Sequence, residues 1–388
     1  MGMNEASNKP TGLRPFYVME ITKHSKRLEA AGRSVMHMES GEPGAPPAPA
    51  VRAAVAAALD LPQHYTPSAG ILDLRLALAD YYRVQHRVSV DPEAMIVTMG
   101  SSAAFILAFV GAFGKGARIA VTRPGYPAYL NTLDGLGMEA VEIPMTAEAG
   151  WRLTAADVEA AYRRQSFDGL LFASPANPTG AAVTREALGD IVDVCRRLGV
   201  RLISDEIYHG LDYRGPSTSA LEFTSDAIII NSFSKYYCMT GWRVGWMVLP
   251  PQLMDRTMML QQNMFISAPT LSQIAATVAL GQRDYSEAQK SLYAQNRQLL
   301  AAGLARFDLR AASEGDGAFY AYVDFSRYTN DSLSFCKTLL DEAGVAATPG
   351  IDFDRVNGNR FVRFSYAGTR ATIEESLDRI GTFLRRRG

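Results

Sequence analysis

The sequence predicts an α/β fold, with a mainly parallel sheet sandwiched by helices in a large domain and a smaller α+β domain built from both ends of the chain. Three observations predict it. Short apolar runs at 95–99, 118–122, 140–143, 169–173, 202–204, 227–230 and 244–249 read as buried strands, and stretches of helical spacing fit between most of them. That alternation is the pattern of crossover helices on a parallel sheet. After a helical stretch at 271–304 the texture changes to strands at 318–324 and 360–366 with helices at 332–343 and 372–385, which suits an α+β unit. Finally, 388 residues, 47% of them hydrophobic and 20% charged, exceed one usual domain and can bury a large core. The expected large domain is 48–285, the small domain is 13–47 with 286–388, and 1–12 are expected to lack fixed structure.

Taken in order, a helix-like pattern from 15 onward interleaves Phe16, Met19, Ile21 and Leu28 with Lys23, Lys26 and Arg27. It leads to a short extended run at 35–38 and then to Ser40-Gly-Glu-Pro-Gly-Ala-Pro-Pro47, a turn-rich stretch in which Gly41 can offer a backbone NH and which alone reads as a linker. A helix at 51–59 precedes a loop holding Tyr65, as readily a packing aromatic as a ligand contact. The strand at 95–99 runs into Gly100, Ser101 and Ser102 and an apolar helix at 103–113. A strand, a small polar turn and a helix start form an anion site, although an ordinary serine N-cap has the same signature. In the last helix Ile373, Leu377, Ile380 and Leu384 mark one apolar face, and Thr372 with Glu375 has the spacing of a capping box.

Polar groups follow the strands. Tyr126 comes after 118–122, Asn177 after 169–173, Asp205 and Tyr208 after 202–204, and Ser232, Ser234 and Lys235 after 227–230. Open parallel sheets bind ligands outside their carboxyl ends, so these residues converge on one rim with Ser101 and Ser102. Each alone has an ordinary explanation as a turn asparagine, a capping aspartate or a buried tyrosine. Convergence is harder to explain away.

The lysine is the most informative of them. Only seven lysines occur in the chain, and Lys235 lies in the apolar, aromatic stretch Asn231-Ser-Phe-Ser-Lys-Tyr-Tyr-Cys-Met-Thr-Gly-Trp-Arg-Val-Gly-Trp246. Ser232, Ser234 and Arg243 offer two hydroxyls and a guanidinium fork suited to phosphate, while Gly241 and Gly245 permit a tight turn or a close approach. An amine beside a phosphate cradle points to a Schiff base with a phosphorylated aldehyde, since burial and nearby cations lower a lysine pKa. That chemistry is pyridoxal phosphate chemistry.

Composition limits the alternatives. Net charge is -1, so nothing draws the protein as a whole to nucleic acid or an acidic membrane. The three cysteines form no CxxC and the five histidines show no metal spacing, so neither a disulfide framework nor a metal centre is expected. No run approaches the roughly 18 apolar residues of a membrane span, and a cytoplasmic protein is expected.

With these residues in view, the chain resembles the class I and II aminotransferases, fold type I pyridoxal phosphate enzymes similar to aspartate aminotransferase. The resemblance is carried by Gly41-Glu-Pro, Tyr65 with Gly70 and Arg75, Pro175-Ala-Asn-Pro-Thr-Gly180, Asp205-Glu-Ile-Tyr208, Ser232-Phe-Ser-Lys235, Gly241-Trp-Arg-Val-Gly245 and Arg363. It implies that Lys235 carries the cofactor and shuttles a proton, that Asp205 pairs with the pyridinium nitrogen, and that Tyr208 bonds the ring oxygen. Ser101, Ser102, Ser232, Ser234 and Arg243 would hold the phosphate, and Tyr126 would stack on the ring where many relatives carry tryptophan. Asn177 would contact the ring oxygen and the substrate, and Arg363, helped by the Gly41 NH, would grip the α-carboxylate. Tyr65 would reach the phosphate of a neighbouring subunit, which implies a homodimer with shared sites.

The activity implied is transfer of an amino group from an L-amino acid to a 2-oxo acid, with a neutral aliphatic or aromatic donor and 2-oxoglutarate as acceptor. No arginine spacing marks a second carboxylate site, and Phe16, Tyr17, Tyr126 and Phe265 are candidates for a neutral side-chain pocket. Two alternatives stand beside it. A carbon-sulfur β-lyase can use the same scaffold, and a non-catalytic binding module is the reading from another class. Against the module stand Lys235, Asp205 and Arg363 and the short stretch before Gly41, which is expected to hold no DNA-binding domain.

Overall fold

The computed structural model describes residues 13–387, so the expectation for 1–12 lies outside the described residues. A seven-stranded sheet is built from β2 (Met95–Thr98), β3 (Arg118–Arg123), β4 (Glu139–Pro144), β5 (Gly169–Ala173), β6 (Arg201–Asp205), β7 (Ile228–Ser232) and β8 (Gly245–Val248). Its order is β2-β8-β7-β6-β5-β3-β4, and β8 pairs antiparallel with both neighbours while the other pairs are parallel. The six strands therefore share one direction, and only β8 brings its amino end to their carboxyl rim.

Strand pleat explains why nearly every residue of these strands is apolar. Ile96, Ile119, Leu171, Ile203, Ile230 and Met247 enter one core, whereas Val97, Ala120, Leu170, Leu202, Ile229 and Trp246 enter the other. The first core is closed by α4 (Gly100–Ala112), α5 (Pro127–Gly135) and α8 (Pro251–Met264), whose Phe105, Phe109, Leu133 and Leu253 pack there. On the other face lie α2 (Pro49–Ala58), α3 (Leu72–His86), α6 (Ala155–Arg164), α7 (Arg185–Leu198) and α9 (Thr270–Leu280). Helix α7 shows the local logic: Thr184 caps its start by accepting from Ala187 N at 3.2 Å, and Gly199 ends it with φ +68°. Leu188, Ile191, Val192 and Cys195 form its buried stripe.

The second region has a three-stranded antiparallel sheet, β11 (Thr348–Pro349), β12 (Phe361–Ser365) and β9 (Tyr320–Asp324), covered by α11 (Ser332–Ala343) and α12 (Arg370–Arg385). The amino end joins it. After α1 (Tyr17–Ala30), β1 (Met36–His37) pairs in parallel with β10 (Val345–Ala346), and Ser365 N donates to Met38 O at 2.7 Å. Helix α10 (Arg283–Ala305) runs between the two regions.

Three local expectations are corrected. The helical stretch at 271–304 is two helices, interrupted at Gly281 and Gln282. The cap of α12 is Thr369, whose hydroxyl accepts from Thr372 N at 3.1 Å, while Glu375 lies within the helix and pairs with Arg379 at 2.7 Å. The supposed capping box was set three residues late. Helix α4 begins at Gly100 after Met99 with no side-chain cap, so the serine N-cap does not occur.

The separate sheets support a division we propose at 48–285 against 13–47 with 286–388. Ile191→Ala, at a fully buried position of α7, should cost about 2–5 kcal/mol, read as lost amide-exchange protection within 48–285 and much less beyond it. Equal loss throughout the chain would show one cooperative unit and sink the division.

Candidate active site

The strand ends bring the expected residues to one rim. Asp205 closes β6 and is 3% exposed. Its Oδ2 accepts from the Tyr129 hydroxyl and its Oδ1 from Ile207 N at 3.1 Å. Burial, the largest influence, raises its pKa to about 6, against the pull of these donors and of Lys235. Such a carboxylate is poised to take a cationic partner.

Lys235 follows β7 by three residues. Its Nζ donates to Gly41 O at 2.6 Å. The side chain keeps some accessible surface but is ringed by protein, and that desolvation lowers its pKa to about 8. Exposed Glu42 and Asp205 oppose the shift, while Arg363 and Arg243 add to it.

Beside the lysine, β8 meets the start of α4. A Cβ on Gly245 would lie 2.7 Å from Asn231 O and 3.1 Å from Ser101 N, and one on Gly100 would lie 2.5 Å from Arg243 Nη2. Gly245 is required by that backbone contact and Gly100 by its left-handed φ of +71°. Gly241 lies in the short 3-10 turn Thr240–Trp242 with no protein atom within 4 Å of an added Cβ, and the left-handed turn into β8 is made by Arg243 itself at φ +50°. The exposed Arg243 guanidinium thus stands against the amino end of α4, where Ser101 and Ser102 occupy the first turn. Ser232 and Ser234 are buried behind it, their hydroxyls 2.8 Å apart.

On the opposite side Arg363, 4% exposed, lies on β12. It donates through Nη1 to Asn177 Oδ1 at 3.0 Å and through Nη2 to Glu39 O at 2.6 Å and Thr348 Oγ1 at 3.1 Å. Its Nε is buried without an acceptor. Tyr320 and Phe353 lie 4.4 and 4.8 Å from its guanidinium carbon, and Tyr320 also bonds the Tyr208 hydroxyl at 2.8 Å. Tyr126 is packed edge-on against Tyr129 at 5.4 Å and Phe16 at 6.2 Å. Tyr65 stands apart from this constellation at 82% exposure. Phe265 is partly buried against the same core cluster as Tyr126.

Four residues of the site were not singled out from sequence: Tyr129, Tyr320, Glu39 and Thr348. Tyr129 lies on the first turn of α5, three residues after Tyr126, and it and the other three meet their site partners through contacts distant in sequence.

Fold and site together define an aminotransferase: the chain belongs to the family described as aminotransferase class I and II, whose model matches residues 33–380. Among its relatives are the valine–pyruvate aminotransferase of Mycobacterium tuberculosis, 45% identical over 96% of this chain and 97% of that protein, and the (5-formylfuran-3-yl)methyl phosphate transaminase of Methanocaldococcus jannaschii, 34% identical over 97% and 99%. A crystal structure of an aminotransferase from Mycobacterium tuberculosis superposes with a TM-score of 0.93 at 44% identity, covering 97% of this chain and 98% of that one. Aspartate aminotransferase from Thermus thermophilus with maleate gives 0.90 at 30% identity over 98% and 100%. The protein is a pyridoxal phosphate-dependent enzyme of fold type I. Its residues fit the cofactor: Gly100 and Gly245 leave a cradle that a Cβ would fill, and a lysine of lowered pKa stands beside a buried carboxylate.

The lowered Lys235 pKa has a measurable consequence. In cofactor-free protein, acetylation of Lys235 followed by mass spectrometry should reach half its maximal rate near pH 8. The folded value lies below the unfolded one, so this group's contribution to stability is present above 10.5 and is lost as pH falls through 8. A labelling midpoint at 10 or above would contradict the burial.

Proposed function

We propose that this aminotransferase takes a neutral aliphatic or aromatic L-amino acid as donor and a 2-oxo acid as acceptor. The observation that carries it is a count of cations. Two arginines act on Lys235, Arg243 and Arg363, and Arg243 is committed to the α4 end with its glycine cradle. Of these two, among the described residues of one chain, Arg363 is left, enough for one α-carboxylate. A donor with an acidic side chain would need a second cation and would meet Glu42, the anion with the largest charge effect on Lys235. The M. tuberculosis relative is named for valine and pyruvate, which agrees. The same count favours a monocarboxylic acceptor such as pyruvate over 2-oxoglutarate, whose second carboxylate would need a cation from elsewhere.

In this reading each residue has a task. Pyridoxal phosphate, when bound, supplies an aldehyde for the amino group and a ring that withdraws the electron pair left when the α-proton departs. Lys235 Nζ, with a pKa of about 8, is deprotonated in a useful fraction near neutral pH and can take that proton. Asp205, oriented by Tyr129 and Ile207 NH, would hold a proton at the ring nitrogen. Tyr208 and Asn177 direct hydrogen bonds to the ring oxygen, Tyr126 covers the ring face, and Ser101, Ser102, Ser232, Ser234 and Arg243 hold the phosphate. Arg363 orients the substrate, helped by the Gly41 NH.

Tyr65, exposed on one chain, supports a homodimer in which it reaches the partner's phosphate site. Leu59, Leu61, Leu72 and Leu76 are exposed on either side of it. Sedimentation of the purified protein at micromolar concentration should give twice the chain mass; a monomer with full activity would rule out shared sites. No helix among the described residues is long and apolar enough to cross a membrane, which is compatible with the cytoplasmic location we propose.

The test of function is spectroscopic. The cofactor band of the purified enzyme should be lost on adding valine or another neutral amino acid and return with pyruvate, and aspartate should act poorly. Lys235→Ala should retain the fold and lose turnover by several orders of magnitude. Preference for aspartate over every neutral donor would overturn the substrate assignment, and a persistent band with pyruvate released from a cysteine conjugate would favour the lyase.

A further inference from the structure

Behind the Arg363 guanidinium lies a set of charged groups to which none of these roles falls. Glu39 is 1% exposed, on the segment between β1 and Gly41. Its Oε1 is 2.9 Å from His37 Nδ1 and 3.5 Å from Thr22 Oγ1, while Oε2 is buried with no partner. The other ring nitrogen, His37 Nε2, faces Glu29 Oε1 of α1 at 3.1 Å. With a carboxylate on each side both ring nitrogens must donate, so His37 is an imidazolium. The bond to Glu39 is the chief cause of a pKa raised to about 9. A buried carboxylate is costly without a counter-charge, and among the described residues His37 is the ion-pair partner of Glu39.

The backbone of the same residue reaches the active site. Glu39 O accepts from Arg363 Nη2 at 2.6 Å and from Thr348 Oγ1 at 3.0 Å, and Thr348 Oγ1 accepts from Arg363 Nη2 at 3.1 Å, closing a triangle. Two residues on, Gly41 O accepts from Lys235. Fixing the Glu39 side chain therefore steadies the short segment 39–41, whose carbonyls touch both cations.

We propose that His37 and Glu39 form a positioning pair for Arg363: the His37 imidazolium, steadied from outside by Glu29, anchors the buried Glu39 carboxylate, and this holds the Glu39 carbonyl that aims the guanidinium at the substrate carboxylate. The inference rests on reading Arg363 as the α-carboxylate group. Neither residue touches the substrate, so the pair acts on every substrate that carries the carboxylate and leaves side-chain preference alone.

The test uses the holoenzyme and an unreactive monocarboxylate, 3-methylbutanoate, whose Kd is measured by calorimetry beside KM and kcat for two neutral donors. His37→Gln and Glu39→Gln should raise Kd and both KM values by a common factor on the order of tenfold, the effect of a buried polar group deprived of its partner. kcat should change less than about twofold, because loss of ground-state and transition-state binding alike appears in KM. His37→Lys, which keeps a cation beside Glu39, should recover most of the affinity; Glu39→Gln preserves side-chain volume and carries the test where a His37 variant fails to fold. Arg363→Lys separates the two ideas. If it raises Kd while His37→Gln and Glu39→Gln do not, the positioning pair is wrong and the carboxylate assignment stands. If Arg363→Lys leaves Kd unchanged, the assignment falls and takes the pair with it. A His37→Lys protein as weak as His37→Gln would also overturn the pair, since charge would not be what anchors Glu39.

Discussion

Asp205, Lys235 and Arg363 are charged groups held largely out of water within one site, and the surrounding structure is arranged to make that tolerable. Burial alone would neutralise the first two, and it moves their pKa values to about 6 and about 8. What keeps the charged forms accessible is a set of fixed donors and acceptors: Tyr129 and Ile207 NH for the aspartate, Gly41 O for the lysine, and Asn177, Glu39 O and Thr348 for the arginine. These partners come from β11, from the segment after β1, from α5 and from the loops after β5 and β6, so the constellation exists only when both sheets are formed and docked. The reversed β8 belongs to the same requirement. It delivers Arg243 to the carboxyl rim, which a seventh parallel strand could not do from its amino end.

Legibility in the sequence followed the range of each contact. The large sheet could be read because fully buried parallel strands are continuous apolar runs; β5 agrees residue for residue with the run at 169–173, and α11 with the helix at 332–343. Lys235, Ser232, Ser234 and Arg243 could be read because they share one short segment whose polar residues have no other use in an apolar environment. Tyr129, Tyr320, Glu39 and Thr348 were opaque for the opposite reason. Tyr129 meets Asp205 across 76 positions, and Glu39 meets Arg363 across 324. A tyrosine in a strand or loop is as good a packing residue as a hydrogen-bond donor, and a glutamate in a turn-rich stretch reads as solvated. Nothing local distinguishes the cases.

The misplaced details have the same character. The left-handed residue before β8 is Arg243 and not a glycine, whereas Gly245 is needed because Asn231 O and Ser101 N leave no room for a Cβ. The cap of α12 lies at Thr369 because a helix starts where its first unpaired NH finds an acceptor, and Thr369 reaches Thr372 N. Both are decided by atoms that must come near one another, not by residue type along the chain.

Arg363 shows how one side chain can connect specificity with architecture. Its two faces are covered by Tyr320 and Phe353, two hydrogen bonds use Nη2, and one uses Nη1. A guanidinium has five NH donors, so the Nε hydrogen and one on Nη1 remain for an acceptor. The same stacking ties β12 to β9 and to the loop at 350–353, so the residue we propose as the carboxylate ligand is also one that the second sheet cannot form without burying.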